Sequence, residues 1–319
     1  MKRNTISGSE DLWRRIYAEP VLAPRAGTWL ERAVTTPDLL RWQDRLLFFV
    51  GAVRGGHERI AVLHVVPEHL GERGVISSCP IELAVDIGPP GSFDSEHVTD
   101  PASVVVDERI FLYYSALGPG PDSIGLAVSK DGYSFEKFPR SVLVGRAPEV
   151  VFVKGQFYLF YVRDAPTGGY EIHLAISDDG YEFSPLGARP ALSPGLPATW
   201  DSYTVTTPRL FEYKGLFYML YAGDDRTRDL PHAFGLARSH DLRQWERYPG
   251  NPVFRRGSPG TWDDGAIWFG TVFPFGDEFS LWYEGGSQEA VKGKSPILTQ
   301  VGLAAITMED FEQLLALWR

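Results

Sequence analysis

The chain has 319 residues, 44% of them hydrophobic and 13% aromatic, which is enough to build one large core. A formal net charge of −10 makes nucleic acids and anionic membrane surfaces poor partners, because both attract positively charged proteins. A single cysteine, Cys79, excludes an internal disulfide framework, and no apolar run approaches the roughly 18 residues that would span a membrane.

The start of the chain predicts an extension ahead of the main domain. Residues 9–18 read as one short helix with Ser9 as its N-cap, so we expect an extension over residues 1–28 and a single domain over residues 29–319. Because this segment lacks the apolar core of a secretory signal, and because one cysteine fits a reducing compartment, we expect a cytoplasmic protein.

A nine-residue phrase recurs along the chain, with a large aromatic residue, an acid near it and a proline eight positions after the aromatic. Each copy leads into a strand-like segment, and a spacing of roughly 50–60 residues is typical of repeat folds. A shorter copy begins at Ala147-Pro148, and in the last copy glycine replaces proline. The full copies are Trp29–Pro37, Phe93–Pro101, Trp200–Pro208 and Trp262–Gly270.

The fourth repeat predicts four strands. Residues 205–213 and 216–222 read as the first two, joined by a turn at Lys214-Gly215, and residues 234–239 read as the third. Residues 243–248 read as a short outer strand. The second and third repeats show the same order, with an Asp-Gly hairpin signal between their third and fourth strands.

Five such repeats predict an all-β fold, a five-bladed β-propeller with four antiparallel strands per blade. Residues 301–307 are the last predicted strand, and residues 308–318 read as a closing helix. First strands surround the axis of a propeller, so the repeated phrases and the loops between second and third strands share one face. We expect the functional residues there.

The second repeat concentrates polar side chains at that face. Asp94 shares its position with acids of the fourth and fifth repeats, which favours a structural role. Glu96, His97 and Asp100 depart from the other repeats, and closely packed carboxylates raise the pKa of one among them, as general-acid catalysis requires. We therefore predict Glu96 and Asp100 as catalytic residues and His97 as a substrate-binding residue.

Charged residues follow the repeated proline in three blades: Asp38, Glu149 and Arg209. The fold would bring them together around the axis, where an unpaired charge is costly. One interpretation is a buried ring of ion pairs that Arg209 satisfies. The other is that Asp38 and Glu149 are catalytic carboxylates, because perturbed carboxylates also cluster in active sites.

Aromatic and acidic residues at the same face predict a sugar-binding surface. A sugar needs a flat apolar face to stack on and acceptors for its hydroxyl groups. Trp268 breaks the repeat and is the better ligand candidate, whereas Trp200 occupies a packing position. We predict substrate contacts from Trp268, Tyr203, Asp224 and Asp264.

The sequence predicts no cofactor and no metal. Its seven histidines show no close ligand pair, and it has no nucleotide-binding loop or nucleophile elbow. A lone structural calcium among axial carboxylates is the remaining alternative. The expected partner is a small molecule or an oligosaccharide, and the sequence does not indicate an oligomeric state.

The repeat pattern resembles the five-bladed propeller glycosidases of glycoside hydrolase families 43, 32 and 68, and the related family 130 phosphorylases. Family 43 implies an Asp-Pro in the first blade as general base, an Asp-Pro in the second that tunes the pKa, and a Glu-Gly-Pro in the third as general acid. Asp100-Pro101 keeps the second signature, whereas Thr36-Pro37 and Arg146-Ala147-Pro148 stand in place of the other two.

This resemblance implies hydrolysis of a glycosidic bond at the axis by acid–base catalysis, with Asp100 as the leading residue. Glu96 or Glu149 would donate the proton, and Asp38 or Asp264 would activate water. Arg146 would contact an anionic or hydroxyl-rich group. Two alternatives stay open. The first is phosphorolysis or another glycosyl transfer, as in family 130, and the second is a non-catalytic propeller that binds a glycan or serves unrelated chemistry.

Overall fold

Five antiparallel sheets follow one another along the chain in the computed structural model, which describes residues 11–318. In each sheet the first three strands form a meander, and the first strands of neighbouring sheets contact one another all the way around a central axis. This is a five-bladed β-propeller, so the predicted fold class is confirmed.

Blades I and II come first in the chain, after the two-residue strand β1 (Arg14–Arg15). Blade I consists of β2 to β5: Val34–Trp42, Arg45–Arg54, His57–Val65 and Glu82–Val85. A 3-10 turn (Pro67–His69) and helix α1 (Arg73–Ser78) precede β5. Blade II consists of β6 to β10: His97–Val106, Arg109–Leu117, Ser123–Ser129, Glu136–Lys137 and Leu143–Val144.

Blades III, IV and V complete the circle. Blade III consists of β11 to β14: Arg146–Val153, Gln156–Asp164, Tyr170–Ser177 and Ser184–Pro185. Blade IV consists of β15 to β19: Thr204–Tyr213, Leu216–Asp224, Ala233–Ser239, Glu246–Arg247 and Phe254–Arg255. Blade V consists of β20 to β22: Ala266–Phe275, Glu278–Gly286 and Gln300–Thr307. Helix α2 (Gln288–Val291) lies in its rim loop.

The helix expected over residues 9–18 is not formed. Residues 9 and 10 lie outside the described part of the chain, and β1 within the remainder pairs antiparallel with Ala304 and Ala305 of β22. The expectation was wrong because blade V has only three strands in its own stretch and would leave an unpaired edge. Trp13, fully buried in the core between blades IV and V, fixes the segment there.

A repeated hydrogen-bonded triad shows that β1 occupies the place of an outer strand. In three blades a buried aspartate from the repeated phrase accepts a hydrogen bond from a second-strand tyrosine and pairs with a cation on the outer strand. The triads are Asp94, Tyr114 and Lys137; Asp201, Tyr221 and Arg247; and Asp263, Tyr283 and Arg15. Each aspartate is therefore fully engaged within its blade.

Helix α3 (Met308–Leu317) closes the chain, and the predicted closing helix is confirmed. Thr307 caps it by accepting a hydrogen bond from the backbone N–H of Asp310. Phe311 and Leu314 are buried against the core that contains Trp13. Among the described residues, no helix has the length and apolar character needed to cross a membrane.

Replacing Arg15 tests the closure by β1. Arg15 Nη2 lies 2.8 Å from Asp263 Oδ2 and donates to the carbonyl oxygen of Arg255 at 2.7 Å. Because Arg15→Ala leaves a buried aspartate without its cation, we expect the free energy of unfolding to fall by about 2–4 kcal/mol. Chemical denaturation measures it.

The neighbouring Arg14→Ala is the matched control for that experiment. Arg14 is 60% exposed, and its guanidinium lies 3.8 Å from Asp310. Loss of such a surface pair changes the free energy of unfolding by less than about 1 kcal/mol. Equal effects of the two substitutions would contradict the role assigned to β1.

Candidate active site

Each first strand is interrupted at the axis by a shift in its pairing register with the second strand. In four blades the residue before the proline has a positive φ: 41° at Thr36, 53° at Asp100, 49° at Ala147 and 50° at Thr207. Such a conformation costs about 1–3 kcal/mol for a residue other than glycine and is concentrated at functional sites. The repeated proline thus marks a bulge that turns one residue of each blade out of the strand.

Asp100 occupies the bulge of blade II and is held by hydroxyl groups. Its Oδ1 accepts hydrogen bonds from Thr36 Oγ1 (3.1 Å) and Thr99 Oγ1 (3.3 Å), and its Oδ2 accepts one from Ser115 Oγ (2.7 Å). Ser115 Oγ in turn accepts from the backbone N–H of Ala147 at 2.7 Å, which ties blade II to blade III. The carboxylate is buried, and its orientation is fixed from both sides.

Two adjacent threonines of blade I gather three carboxyl groups, which we call the carboxylate cluster: Glu58, Asp100 and Glu284. Thr35 Oγ1 donates to Glu58 Oε1 at 2.7 Å, and Thr36 Oγ1 donates to Asp100. The backbone N–H of Thr36 donates to Glu284 Oε2 at 2.9 Å. Blade I thus lacks its own acid at the bulge but binds acids from blades I, II and V.

Burial and mutual repulsion keep protons in this cluster. Burial raises the pKa of Glu284 to about 8, and the charges of Glu58 and Asp100 act in the same direction against the Thr36 N–H. Burial also raises the pKa of Glu58, with Asp100 again adding to the effect and the Thr35 hydroxyl opposing it. At neutral pH the cluster therefore does not carry three full negative charges.

An axial cavity of about 620 Å³ opens above Asp100. Its walls come from blades II to V and combine charged, hydroxyl and aromatic side chains. The lining residues include Asp100, Arg146, Tyr170, Thr207, Arg228, Asp229, Trp268 and Phe269. Three of the predicted site residues, Asp100, Arg146 and Trp268, are thus brought together.

The cavity wall is an ordered polar network on aromatic faces. Arg146 Nη1 donates to Tyr170 Oη at 3.0 Å, and Tyr170 Oη donates to Asp229 Oδ1 at 3.1 Å. The guanidinium of Arg228 lies 4.1 Å from the centre of the Tyr170 ring, and Trp268 Nε1 donates to the carbonyl oxygen of Asp229 at 2.7 Å. Fixed donors and acceptors beside flat rings match the surface of a sugar.

A buried ring lies deeper along the axis, formed by the residues after each bulge. Arg209, 2% exposed, donates to Glu149 Oε2 at 3.1 Å and to the carbonyl oxygens of Pro148 and Pro101, both at 2.8 Å. Glu149 also accepts from the backbone N–H of Leu210 at 2.8 Å. These contacts match the ion-pair interpretation of this ring.

Asp38 belongs to the same buried ring. Its Oδ2 accepts a hydrogen bond from Ser103 Oγ at 2.5 Å. Burial raises the pKa of Asp38 above its ordinary value, and the Arg209 charge partly offsets the rise. Neither Asp38 nor Glu149 is among the residues that line the axial cavity.

Glu96 and His97 lie at the edge of the site between blades I and II. The Glu96 side chain is exposed, and its backbone carbonyl oxygen lies 2.8 Å from Nδ1 of His57. His97 Nδ1 accepts a hydrogen bond from the backbone N–H of Glu58 at 3.1 Å. His97 therefore contacts the carboxylate cluster through the backbone of Glu58, whereas the Glu96 side chain is exposed to solvent.

The remaining predicted substrate contacts lie on the rim, away from the axial cavity. Asp224 organises its own loop, because its oxygens accept from the backbone N–H groups of Arg226 and Thr227 and lie 2.6 Å from His232 Nδ1. Asp264 accepts from the backbone N–H groups of Gly260 and Gln288, both at 2.7 Å. Tyr203 is half-buried against Gly168 of a blade III loop.

Within the described residues, one group has the spacing of a metal site: Asp224, Asp225 and His232, with ligand atoms within 4.8 Å of one another. Its members already have partners, because Asp224 accepts from backbone N–H groups and Asp225 pairs with Arg226 at 3.3 Å. The structure therefore adds no support for a metal at this position.

Sequence reasoning missed four residues that the structure places at the site: Glu58, Tyr170, Arg228 and Asp229. Arg228 and Asp229 belong to the loop after β16, which the repeat pattern did assign to the functional face. Glu58 and Tyr170 lie in the segments 51–58 and 163–170, which read as further loops of that face, whereas the structure places both residues on third strands, β4 and β13.

Comparison with known proteins supports the fold assignment. No family model matches the chain. Two curated relatives from strains of Mycobacterium tuberculosis, named Uncharacterized protein Rv1502 and Uncharacterized protein MT1551, are each 29% identical over 245 residues. The alignment covers 70% of this chain and 77% of each relative.

The solved structures that are similar to this chain include carbohydrate-active enzymes. The beta-1,2-mannobiose phosphorylase from Listeria innocua, in complex with beta-1,2-mannobiose, has a TM-score of 0.70 at 13% identity, covering 95% of this chain and 99% of that one. A thermostable family-43 glycoside hydrolase has a TM-score of 0.66 at 16% identity, covering 88% and 91%. At these identities the likeness shows the five-bladed propeller fold that the repeats predicted.

The proton held by Glu284 predicts how stability depends on pH. The pKa of Glu284 is about 8 when folded and 4.5 ordinarily, so between these values the folded chain keeps a proton that the unfolded chain has lost. The contribution of Glu284 to stability is therefore complete below pH 4.5 and falls towards pH 8, by about 1 kcal/mol per pH unit. Denaturation at several pH values measures the slope.

Glu284→Gln should flatten that slope, because the amide does not titrate. Glu108→Gln is the control, since Glu108 is exposed in a turn at the opposite face. An unchanged slope in Glu284→Gln would show that the folded protein does not hold this proton.

Proposed function

We propose that this protein cleaves a glycosidic bond in the axial cavity by acid–base catalysis, with Asp100 as the catalytic carboxylate. The observation that carries the proposal is the position of Asp100. It keeps the second-blade signature, it sits at a bulge with φ of 53°, and three hydroxyl groups fix it at the lining of the cavity.

The cavity walls support a sugar as the ligand. Arg146 and Arg228 offer guanidinium donors, Asp229 offers acceptors, and Tyr170 and Trp268 offer ring faces. A groove of about 330 Å³ shares Arg146, Tyr170 and Arg228 with the axial cavity and continues outward along blade III. This extension has room for further sugar units, which favours an oligosaccharide or a glycoside with a large leaving group.

Hydrolysis breaks the bond between the anomeric carbon and the glycosidic oxygen. A carboxylate takes a proton from the attacking water, and an acid gives a proton to the departing oxygen. We assign the first of these transfers to Asp100, whose carboxylate lines the axial cavity. Asp38 and Glu149 are less suited, because Arg209 and the buried ring already engage them.

Phosphorolysis is a second candidate, favoured by the two arginines that line the cavity. Phosphate would then replace water as the acceptor and would need cationic partners. Arg146 and Arg228 could bind it, although Asp122 lies 3.7 Å from Arg146 and Asp164 lies 2.5 Å from Arg228. A non-catalytic sugar-binding role is favoured by Thr36 and Arg146 at positions where the resemblance implies acids.

Turnover of glycosides tests the proposal directly. We expect the wild type to cleave at least one of a panel of aryl and natural arabinofuranosides, xylosides, galactosides, mannosides and fructosides. Asp100→Asn should lower kcat at least about 100-fold, because the amide cannot take a proton. Its fold should be intact by circular dichroism, since the amide oxygen can still accept from Thr36 and Thr99 and the amide nitrogen can donate to Ser115 Oγ.

The same assay separates the three functions. Turnover without phosphate supports hydrolysis, whereas turnover only with phosphate supports the second candidate. Binding of a sugar by calorimetry, with no turnover and no effect of Asp100→Asn, would refute the catalytic proposal. Glu108→Gln at the opposite face controls for general effects of losing a carboxylate.

A further inference from the structure

Glu58 reaches the carboxylate cluster across its own blade. It lies on β4, the third strand of blade I, whereas Thr35 lies on β2, the first. Gly51 of β3 pairs with Thr35, and a Cβ built on Gly51 would lie 1.9 Å from Thr35 Oγ1 and 3.3 Å from Glu58 Oε1. The missing side chain at Gly51 therefore makes the space in which Thr35 and Glu58 meet.

The Thr35-Thr36 pair links Glu58 to Asp100. Thr35 donates to Glu58 at 2.7 Å, and its neighbour Thr36 donates to Asp100 at 3.1 Å. Two carboxyl groups from different blades are therefore held on consecutive residues of one strand. That strand carries no acid at its own bulge, the place where the resemblance implies one.

We propose that Glu58 is the proton-holding partner of Asp100: Thr35 and Thr36 hold the two carboxyl groups on adjacent residues, and a protonated Glu58 replaces the acid that blade I lacks at Thr36. This inference rests on the proposed function for its effect on catalysis. The proton on Glu58 is itself independent of turnover. Glu58 acts through Asp100 and is a positioning residue rather than a catalytic one.

The hydrogen bonds favour a proton on Glu58. Asp100 accepts from three hydroxyl groups, and Arg146 interacts with it electrostatically. Glu58 accepts from Thr35 and interacts with Thr99. Burial and the charge of Asp100 raise the pKa of Glu58, so a proton is retained more readily on this carboxyl group than on a free glutamate.

Other charged groups face Glu58 from every side of the cluster. Asp100 opposes its ionisation, and Arg146 favours it. His97 accepts the backbone N–H of Glu58, and burial together with the neighbouring His57 lowers the pKa of His97.

Carbon-13 NMR of the side-chain carboxyl groups tests, without any substrate, whether Glu58 holds a proton. The Glu58 resonance is assigned by its absence in Glu58→Gln. We expect it to titrate above its ordinary pH of 4.5, and to titrate at least about half a pH unit lower in Asp100→Asn, where the like charge is gone. Thr35→Val should move it upward and Thr35→Ser should restore it, because only serine keeps the donor.

The pH dependence of kcat/KM tests the effect on catalysis. If activity needs a neutral Glu58, the alkaline fall in activity should move to higher pH in Glu58→Gln, with activity at neutral pH within about 10-fold of the wild type. A side chain that only supports the fold would leave the profile unmoved. Glu108→Gln serves as the carboxylate-to-amide control.

The outcomes test the proton-holding role of Glu58 and the proposed glycosidase function separately. A Glu58 titration that is the same in the wild type and in Asp100→Asn overturns the proton-holding role, whatever the turnover. A coupled titration with no turnover on any glycoside keeps that role and rejects the proposed function. If Glu58→Gln does not fold, the Glu58 resonance is assigned as the one that moves in Thr35→Val and returns in Thr35→Ser, and its titration is then compared between the wild type and Asp100→Asn.

Discussion

The interruption of each first strand, at an X-Pro step in four of the five blades, is the constraint on which the axis depends. Without it, a regular strand would send alternate side chains to the two faces of its blade and none towards the centre. The bulge turns Thr36, Asp100, Ala147 and Thr207 out of register at one height. The residues that follow each proline form the buried ring one step deeper. One backbone device thus produces two layers, an open one that faces the cavity and a closed one beneath it.

These two layers solve the problem of buried charge in different ways. The lower layer surrounds one cation, Arg209, with carbonyl oxygens and the carboxyl group of Glu149, so its polar groups are satisfied within the protein. The upper layer holds its acids with hydroxyl groups instead, from Thr35, Thr36 and Ser115. Burial raises the pKa of a glutamate to about 8 in each layer, Glu149 in the lower and Glu284 in the upper, but only the upper layer places a carboxylate, Asp100, at the lining of the cavity.

The sequence predicted the fold because the repeat can be recognised in the amino-acid sequence. The site could not be predicted in the same way, because it combines residues from several repeats. The X-Pro phrase located Asp100, Arg146 and Trp268, which do line the cavity. It could not locate Glu58, because that side chain reaches the axis from a third strand over Gly51, a contact that pairs residues 23 positions apart. The helix expected over residues 9–18 failed for a related reason. The local sequence pattern favoured a helix, but pairing with the open edge of blade V, a long-range interaction, stabilises an extended strand there instead.

The same edge gives the chain a particular order of assembly during synthesis. Arg14 and Arg15 are synthesised before any of the five blades, but their partners, Ala304 and Ala305, lie on the last strand of blade V. Blades I to IV can therefore form while translation continues, and blade V stays incomplete until β22 has emerged. Until then the newly made propeller is an open arc. The circle of blades is completed only when β1 pairs with β22.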